Sequence, residues 1–200
     1  MNIAIWANDD QWNELTSVPL NAQLTRLQMP FKLTSDVQVL LLLQDESILP
    51  VSSFAGPVII NSVSKTLQEL NAPSNVLRIN GWNGFLARNK WEIAGLINEA
   101  VEEISTALGK QLISVPDEPG LVSARVIAMI VNEAYFTLED QISTKEEIDI
   151  AMKLGTNYPH GPFEWGDKIG TGSIYTLLKQ LSTNDIKYTP ARLLKEAATI

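Results

Sequence analysis

The chain has 200 residues, no cysteine, a single histidine and a formal net charge of -8. Disulfides, thiolate nucleophiles and cysteine-held metals are excluded, and no basic run is available to neutralise nucleic-acid phosphates or an anionic membrane surface. With 45% hydrophobic and 19% charged residues it suits a globular chain of one or two cores; lacking a signal-like start or an apolar run of about 20 residues, it is expected in the cytoplasm.

In chain order, MNIAIWA (1–7) predicts a short buried strand, and DVQVLLLLQ (36–44), GPVIIN (56–61) and NVLRIN (75–80) predict three more. Short apolar runs separated by turn-length or helix-length segments indicate an α/β sheet with parallel strands buried on both faces. LQEL (67–70) is placed in a crossover helix. WEIAGLINEAVEEISTALGK (91–110) carries Ile97, Ala100, Val101, Ile104 and Leu108 at helical spacing, with Gly109 and Lys110 as its stop.

An α/β half that opens on a strand invites a dinucleotide site, in which glycines after the first strand let backbone amides approach a diphosphate. Here all eleven glycines lie at position 56 or later, and Asn8-Asp9-Asp10 follow the first strand. Two carboxylates repel a diphosphate, so these residues are expected to form an N-cap or turn. Gly170-Thr171-Gly172 is no substitute, because it follows a helical segment and not a strand.

After Pro119 the pattern turns helical. LVSARVIAMIVNEAYFTLED (121–140) is apolar around most of its circumference and needs partners on several sides, which predicts docking on the sheet or on a second copy of the chain. Ser143 and Glu146 form a capping-box pattern for a helix ending at Leu154, with Gly155 as its stop. Glu146, Glu147 and Asp149 then complement the helix dipole, and no metal site is expected. Thr189 and Pro190 mark the start of a last helix.

Residues 117–170 resemble the C-terminal helical domain of the 3-hydroxyacyl-CoA dehydrogenases. That family carries a D-x-P-G-F-x-x-N-R turn into a helix with N-E-A, then E-D-I-D-x-A-M-x-x-G and Y-P-x-G-P-x-E-x-x-D-x-x-G. This chain has DEPGLVSAR, NEA, EEIDIAMKLG and YPHGPFEWGDKIG in the same order, and IKYTPARLLKEA (186–197) is similar to the R-Y-R-P-x-P-L-L ending. More faintly, NSVSKTLQEL (61–70) is similar to N-T-S-S-x-x-x-x-E-L, and INGWNGFLARNKWEIA (79–94) to G-M-H-F-F-N-P leading into L-V-E.

The resemblance implies a shortened Rossmann-like parallel sheet over 1–115, followed by a helical dimerisation domain over 116–200 and a homodimer. It also implies fatty-acid or related acyl-CoA catabolism, in which a histidine takes the 3-hydroxyl proton as hydride passes to NAD and a glutamate orients the imidazole. Carried over, the histidine position falls on Asn83 and the glutamate on Glu92. The family's serine falls on Val63 and its asparagine on Ala124, leaving Asn61, Ser62 and Ser64 as candidate substrate-binding residues. His160 falls in the Y-P-x-G-P turn, away from the family's base, and is assigned a structural or exposed role. Trp82, Trp91 and Trp165 are candidates to line a cleft, although large aromatics more commonly fill cores or interfaces.

The missing base, donors and glycine loop affect separable contributions to catalysis. The expectation is a family member without a bound cofactor, its NAD-dependent catalysis lost or severely weakened, that binds acyl-CoA or assembles with a partner. The alternative is a working dehydrogenase using NAD through a rearranged or partner-completed site. Nucleic acid and membrane are not expected partners.

Overall fold

The computed structural model describes residues 1–29, 32–44 and 54–199. It divides into units Met1–Leu121 and Val122–Ile200, so the boundary falls after Leu121 and not after residue 115. The turn after Ser114 causes this difference: Asp117 accepts from the backbone of Leu67 at 2.9 Å, and Gly120 donates to the Val63 carbonyl at 2.7 Å, fastening the turn to the first unit.

The first unit is a seven-stranded sheet in the order β2-β1-β3-β4-β5-β6-β7. The strands are β1 (Asn2–Trp6), β2 (Gln23–Arg26), β3 (Val39–Leu42), β4 (Val58–Asn61), β5 (Val76–Ile79), β6 (Lys90–Ala94) and β7 (Gln111–Ser114); helix α1 (Asp9–Thr16) links β1 to β2, and α2 (Glu99–Leu108) links β6 to β7. All neighbouring strands are parallel except β5 and β6, which run antiparallel. One strand, β2, lies beyond β1, whereas a doubly wound dinucleotide sheet carries two there. The short interval between β1 and β3 accounts for the loss.

Ile3, Ile5, Leu41, Ile59, Leu77 and Ile79 pack on one sheet face with Leu15 of α1 and with Val101, Ile104 and Leu108 of α2. On the opposite face Ala4, Leu40, Leu42, Val58, Ile60 and Val76 lie under Leu27, Val37, Phe54, Leu67 and Leu70. Among the described residues, no helix of this unit contributes to that second cluster. The four predicted strands are present, buried on both faces as interior parallel strands require.

Three strands depart from the expected pattern. QLTR and QLIS form β2 and β7, half-exposed strands without an apolar run to mark them. The stretch 91–110 is not one helix: Trp91 to Ala94 belong to β6, Gly95 turns the chain at φ 127°, and α2 starts after Asn98, whose side chain accepts from the Val101 amide. Gly109, at φ 60°, ends α2 as expected. Residues 67–71 form a turn closed by the Ala72 amide on the Leu67 carbonyl, so the expected crossover helix is absent there.

The second unit consists of α3 (Ser123–Glu139), α4 (Lys145–Thr156), α5 (Pro162–Ile169), α6 (Thr171–Leu181), a 3-10 turn (Ile186–Tyr188) and α7 (Arg192–Ala197). Helix α3 packs against α4, α5, α6 and α7, burying Ala124, Ile127, Ala128, Val131, Ala134 and Tyr135. Three boundaries differ from the sequence reading. The capping box is Thr144 with Glu147, one residue later than predicted, while the Ser143 hydroxyl donates to Glu147 at 2.7 Å. Gly155 lies inside α4, which stops at Asn157 in the left-handed conformation (φ 55°). Helix α7 begins at Arg192, because Asn132 of α3 takes the Ala191 amide at 2.8 Å.

Two hydrogen-bonding side chains explain the motifs of this unit. Buried Asp149 on α4 accepts from the Phe163 and Glu164 amides at 2.8 and 3.2 Å, satisfying the start of α5. Its carboxyl occupies the space a Cβ at Gly161 would need, which is why glycine stands there. Asn132 bridges to both the Thr189 carbonyl and the Ala191 amide.

Candidate functional site

Open α/β sheets hold ligands outside the carboxyl ends of their strands, where the strand order reverses. In this sheet the reversal lies at β1, with β2 on one side and β3 on the other. A cleft of about 490 Å3 opens there, lined by Trp6, Ala7, Asn8, Asp9, Arg26, Leu27, Gln28, Met29 and Gln44. The residues between β1 and α1 shape one wall. Asn8 caps α1, its side chain accepting from the Gln11 amide at 2.8 Å while Gln11 Oε1 accepts from the Asn8 amide at 3.2 Å. Asp9 and Asp10 fill the first turn. Arg26, at the end of β2, donates through Nη2 to Asp9 at 2.6 Å and to the Ala7 carbonyl at 3.1 Å.

Two amide side chains bridge the same sheet edge toward β5. Gln11 donates through Nε2 to the Leu43 carbonyl at 2.5 Å and to the Gly81 carbonyl at 3.4 Å. Asn61 donates to the Leu43 carbonyl at 3.0 Å and accepts from the Gly81 amide at 2.9 Å. A Cβ at Gly81 would come within 2.8 Å of Asn61, so this closure requires glycine. The start of α1 thus presents carboxylates and a self-capped backbone where a dinucleotide's diphosphate needs free amides and close approach. These residues do not fit that group.

A second constellation lies across β4, β5 and β6. The register pairs Asn61 with Ile79 and Ile79 with Ile93; one step further sets Ser62 beside Asn80 and Asn80 opposite Glu92. Asn80 is buried, its Oδ1 accepting from the Trp82 amide at 3.2 Å. Asn83, to which the motif comparison assigned the histidine position, lies beyond the strand in the connecting arc. In G-M-H-F-F-N-P the histidine stands three residues before the asparagine, so an alignment that sets Asn83 on that asparagine puts the histidine position at Asn80, the residue one register step past the Ile79–Ile93 pair. Glu14 of α1 holds the arc by accepting from the Gly84 and Ala87 amides at 2.6 and 3.1 Å.

The other candidates are engaged by the chain itself. Asn61 makes the bridge just described, Ser62 donates to the Lys65 carbonyl at 2.7 Å, and Val63 is buried; Ser64 is nearly so. Fully buried Arg78 organises the loop from beneath, donating to Asp117 at 2.5 Å, to the Ser62 carbonyl at 2.9 Å and to the Glu118 carbonyl at 2.5 Å. No sequence signal marked Arg78 or Gln11, because neither belongs to a recognised motif.

Ala124 is buried on α3 of the second unit. There too His160 packs edge-on against Trp165, with ring centroids 4.7 Å apart and Nδ1 4.0 Å from Glu164. Trp82, Trp91 and Trp165 are all buried, Trp91 donating to the Leu86 carbonyl at 3.2 Å. Among the described residues no group of three or more acidic or histidine side chains is placed to hold a metal, and no helix is long and apolar enough to cross a membrane.

A parallel-dominated sheet followed by a helical unit defines a Rossmann-like architecture. Residues 120–199 match the model of the 3-hydroxyacyl-CoA dehydrogenase C-terminal domain. It is 40% identical over 98 residues to a 3-hydroxybutyryl-CoA dehydrogenase of Clostridioides difficile, covering 48% of this chain and 35% of that one. It is 38% identical over 94 residues to the 3-hydroxyadipyl-CoA dehydrogenase of Escherichia coli, covering 46% of this chain and 20% of that one. The matched part therefore spans well under half of these relatives' own length. The solved (S)-3-hydroxybutyryl-CoA dehydrogenase of Ralstonia eutropha shares the fold with a TM-score of 0.72 and 22% identity, over 98% of this chain and 92% of that one.

Proposed function

We propose that this chain keeps the family's fold while NAD-dependent dehydrogenation is lost or severely weakened, and that it works by holding an acyl-CoA or by assembling with another chain. The observation that carries this reading is Asn80 opposite Glu92. A carboxamide does not take up a proton near neutral pH, so Glu92 has no imidazole to orient, and loss of a general base alone removes about 10² to 10⁴ in rate. The bridged edge and the acidic start of α1 act on a different requirement, the seating of the cofactor, so restoring one does not restore the other.

The acyl-CoA part follows from the relatives, which are named for 3-hydroxyacyl-CoA substrates. Assembly is favoured by the second unit, where Val122, Val126 and Phe136 expose apolar surface on one side of α3. The partner proposed is a second copy of this chain.

Purified protein given 3-hydroxybutyryl-CoA and NAD is expected to form no NADH above background and to give no saturable enhancement when titrated with NADH. Asn80→His is expected to restore neither signal, since it leaves Gln11, Asn61 and the two aspartates in place. Turnover by the wild type at ordinary enzymatic rates would overturn the proposal. Saturable binding of an acyl-CoA, followed calorimetrically, is the positive result expected of the binding role.

A further inference from the structure

We propose that Asn83 is a site of spontaneous covalent modification, cyclising with Gly84 to a succinimide that opens to aspartate or isoaspartate, and that Glu14 is the latch that withholds it. The chain has two Asn-Gly pairs, Asn80-Gly81 and Asn83-Gly84, both in the connection from β5 to β6. At such a pair the glycine nitrogen attacks the asparagine Cγ; the new C–N bond displaces ammonia, which leaves with the nitrogen's proton. Water then adds to one of the two ring carbonyls and breaks its bond to that nitrogen. Glycine in second place removes the side chain that would crowd the ring. Water is the co-reactant, and no oxidant or reductant is required.

The two pairs are held differently. Asn80 is buried, its Oδ1 takes the Trp82 amide at 3.2 Å, and the Gly81 nitrogen donates to Asn61 at 2.9 Å within the amide bridge. Asn83 is half-buried and its side chain makes no hydrogen bond among the described residues, so its carboxamide is free to turn. What restrains it is the backbone. The Phe85 amide donates to the Trp82 carbonyl at 3.1 Å and Gly84 has φ 97°, the marks of a type II turn with Asn83 and Gly84 at its centre. Such a turn sets ψ of its second residue near about +120°, which leaves the following nitrogen about a third of a turn from Cβ, whereas the ring closes only when the two eclipse. The same Gly84 nitrogen donates to one carboxylate oxygen of Glu14 at 2.6 Å, and the Ala87 amide donates to the other at 3.1 Å. Reaction at Asn83 therefore waits for the arc to leave Glu14, and its rate reports how often that happens.

Either product keeps the arc open. Aspartate adds a carboxylate one residue from the amide that Glu14 holds, and like charges at that range repel. Isoaspartate routes the main chain through the side-chain carbons, which lengthens the turn and takes Gly84 and Ala87 out of register with the two oxygens of Glu14. The modification is a one-way release of the segment joining Asn80 to Glu92.

The test is incubation of the full chain at mildly alkaline pH, native and in urea, followed by peptide mapping. Cleavage after Arg78 and Arg88 gives one peptide carrying both asparagines, and its fragment ions assign the exchange of NH2 for OH to one or the other. In the native chain Asn83 is expected to convert about tenfold or more slowly than in urea, and Asn80 to be spared. Glu14→Ala removes two hydrogen bonds to a carboxylate, and is expected to raise the native rate at Asn83 about tenfold or more while Asn80 stays spared. Glu14→Gln, which keeps one accepting oxygen, is expected to fall between. Sparing of Asn80 is the internal control for folding: a variant in which both asparagines convert at the rate in urea has unfolded, and Glu14→Gln then decides. Asn83→Asp, which carries one product from the start, is expected to speed amide hydrogen exchange at Gly84 and Ala87. The proposal is overturned if native Asn83 converts as fast as in urea, if Asn80 keeps pace with it in the native chain, or if exchange in Asn83→Asp is unchanged. A folded Glu14 variant that leaves the rate at Asn83 unchanged, or slows it because the carboxylate draws the proton from Gly84, overturns it too.

Discussion

Lys110 shows how a single side chain sets a cost within the first unit. Its residue is 3% exposed, its ammonium has no hydrogen-bond partner among the described residues, and it lies 5.5 Å from the centre of the Trp91 ring. Burial drives its pKa down, against the opposing pull of Glu14. Lys110→Met is therefore expected to stabilise the protein by about 1 to 3 kcal/mol at neutral pH, the cost of an unsatisfied buried polar group, measured by denaturant unfolding. Because the folded-state pKa lies below the unfolded one, the unfolded chain binds more protons between the two values. Wild-type stability should thus rise relative to the variant as pH climbs from the lowered pKa toward about 10.4, and the gap should narrow. Single residues were the least legible scale in the sequence. Asn80 and Asn83 lie three residues apart in a segment of the same composition, and it takes the register of β5 against β6 to show which of them falls opposite position 92.

At the scale of elements, α7 is fixed by α3. Asn132 satisfies the Thr189 carbonyl and the Ala191 amide, while Glu139 accepts from the Leu193 amide at 2.6 Å. Asn132→Ala is expected to destabilise the helical unit by about 2 to 3 kcal/mol, the cost of unsatisfied buried backbone groups, and to raise amide exchange in 189–197 above that of α6. Elements with strong local signals were legible: the interior strands through their apolar runs, α3 through its length, and the end of α2 through Gly109. Those set by tertiary contacts were not. QLTR and QLIS become strands by joining an existing sheet, and WEIA pairs with β5 although its composition equally suits a helix.

At the scale of the whole molecule, the proposed dimer would bring together two chains that each carry a net charge of -8. A self-complementary interface places like residues near one another across a twofold axis, so one new carboxylate on the apolar side of α3 appears twice. Val126→Asp is expected to convert a dimer into a monomer in sedimentation velocity, with little change in the far-ultraviolet circular dichroism, since Val126 is about half exposed. Sedimentation of the wild type as a monomer would remove the dimer from the proposed function.

The antiparallel turn-back of β6 on β5 has a mechanical outcome for the family's chemistry. Because the two strands run in opposite directions, the pairing of Ile79 with Ile93 brings positions 80 and 92 together at the mouth of the connecting arc. Two residues twelve apart in the chain become neighbours through strand direction alone.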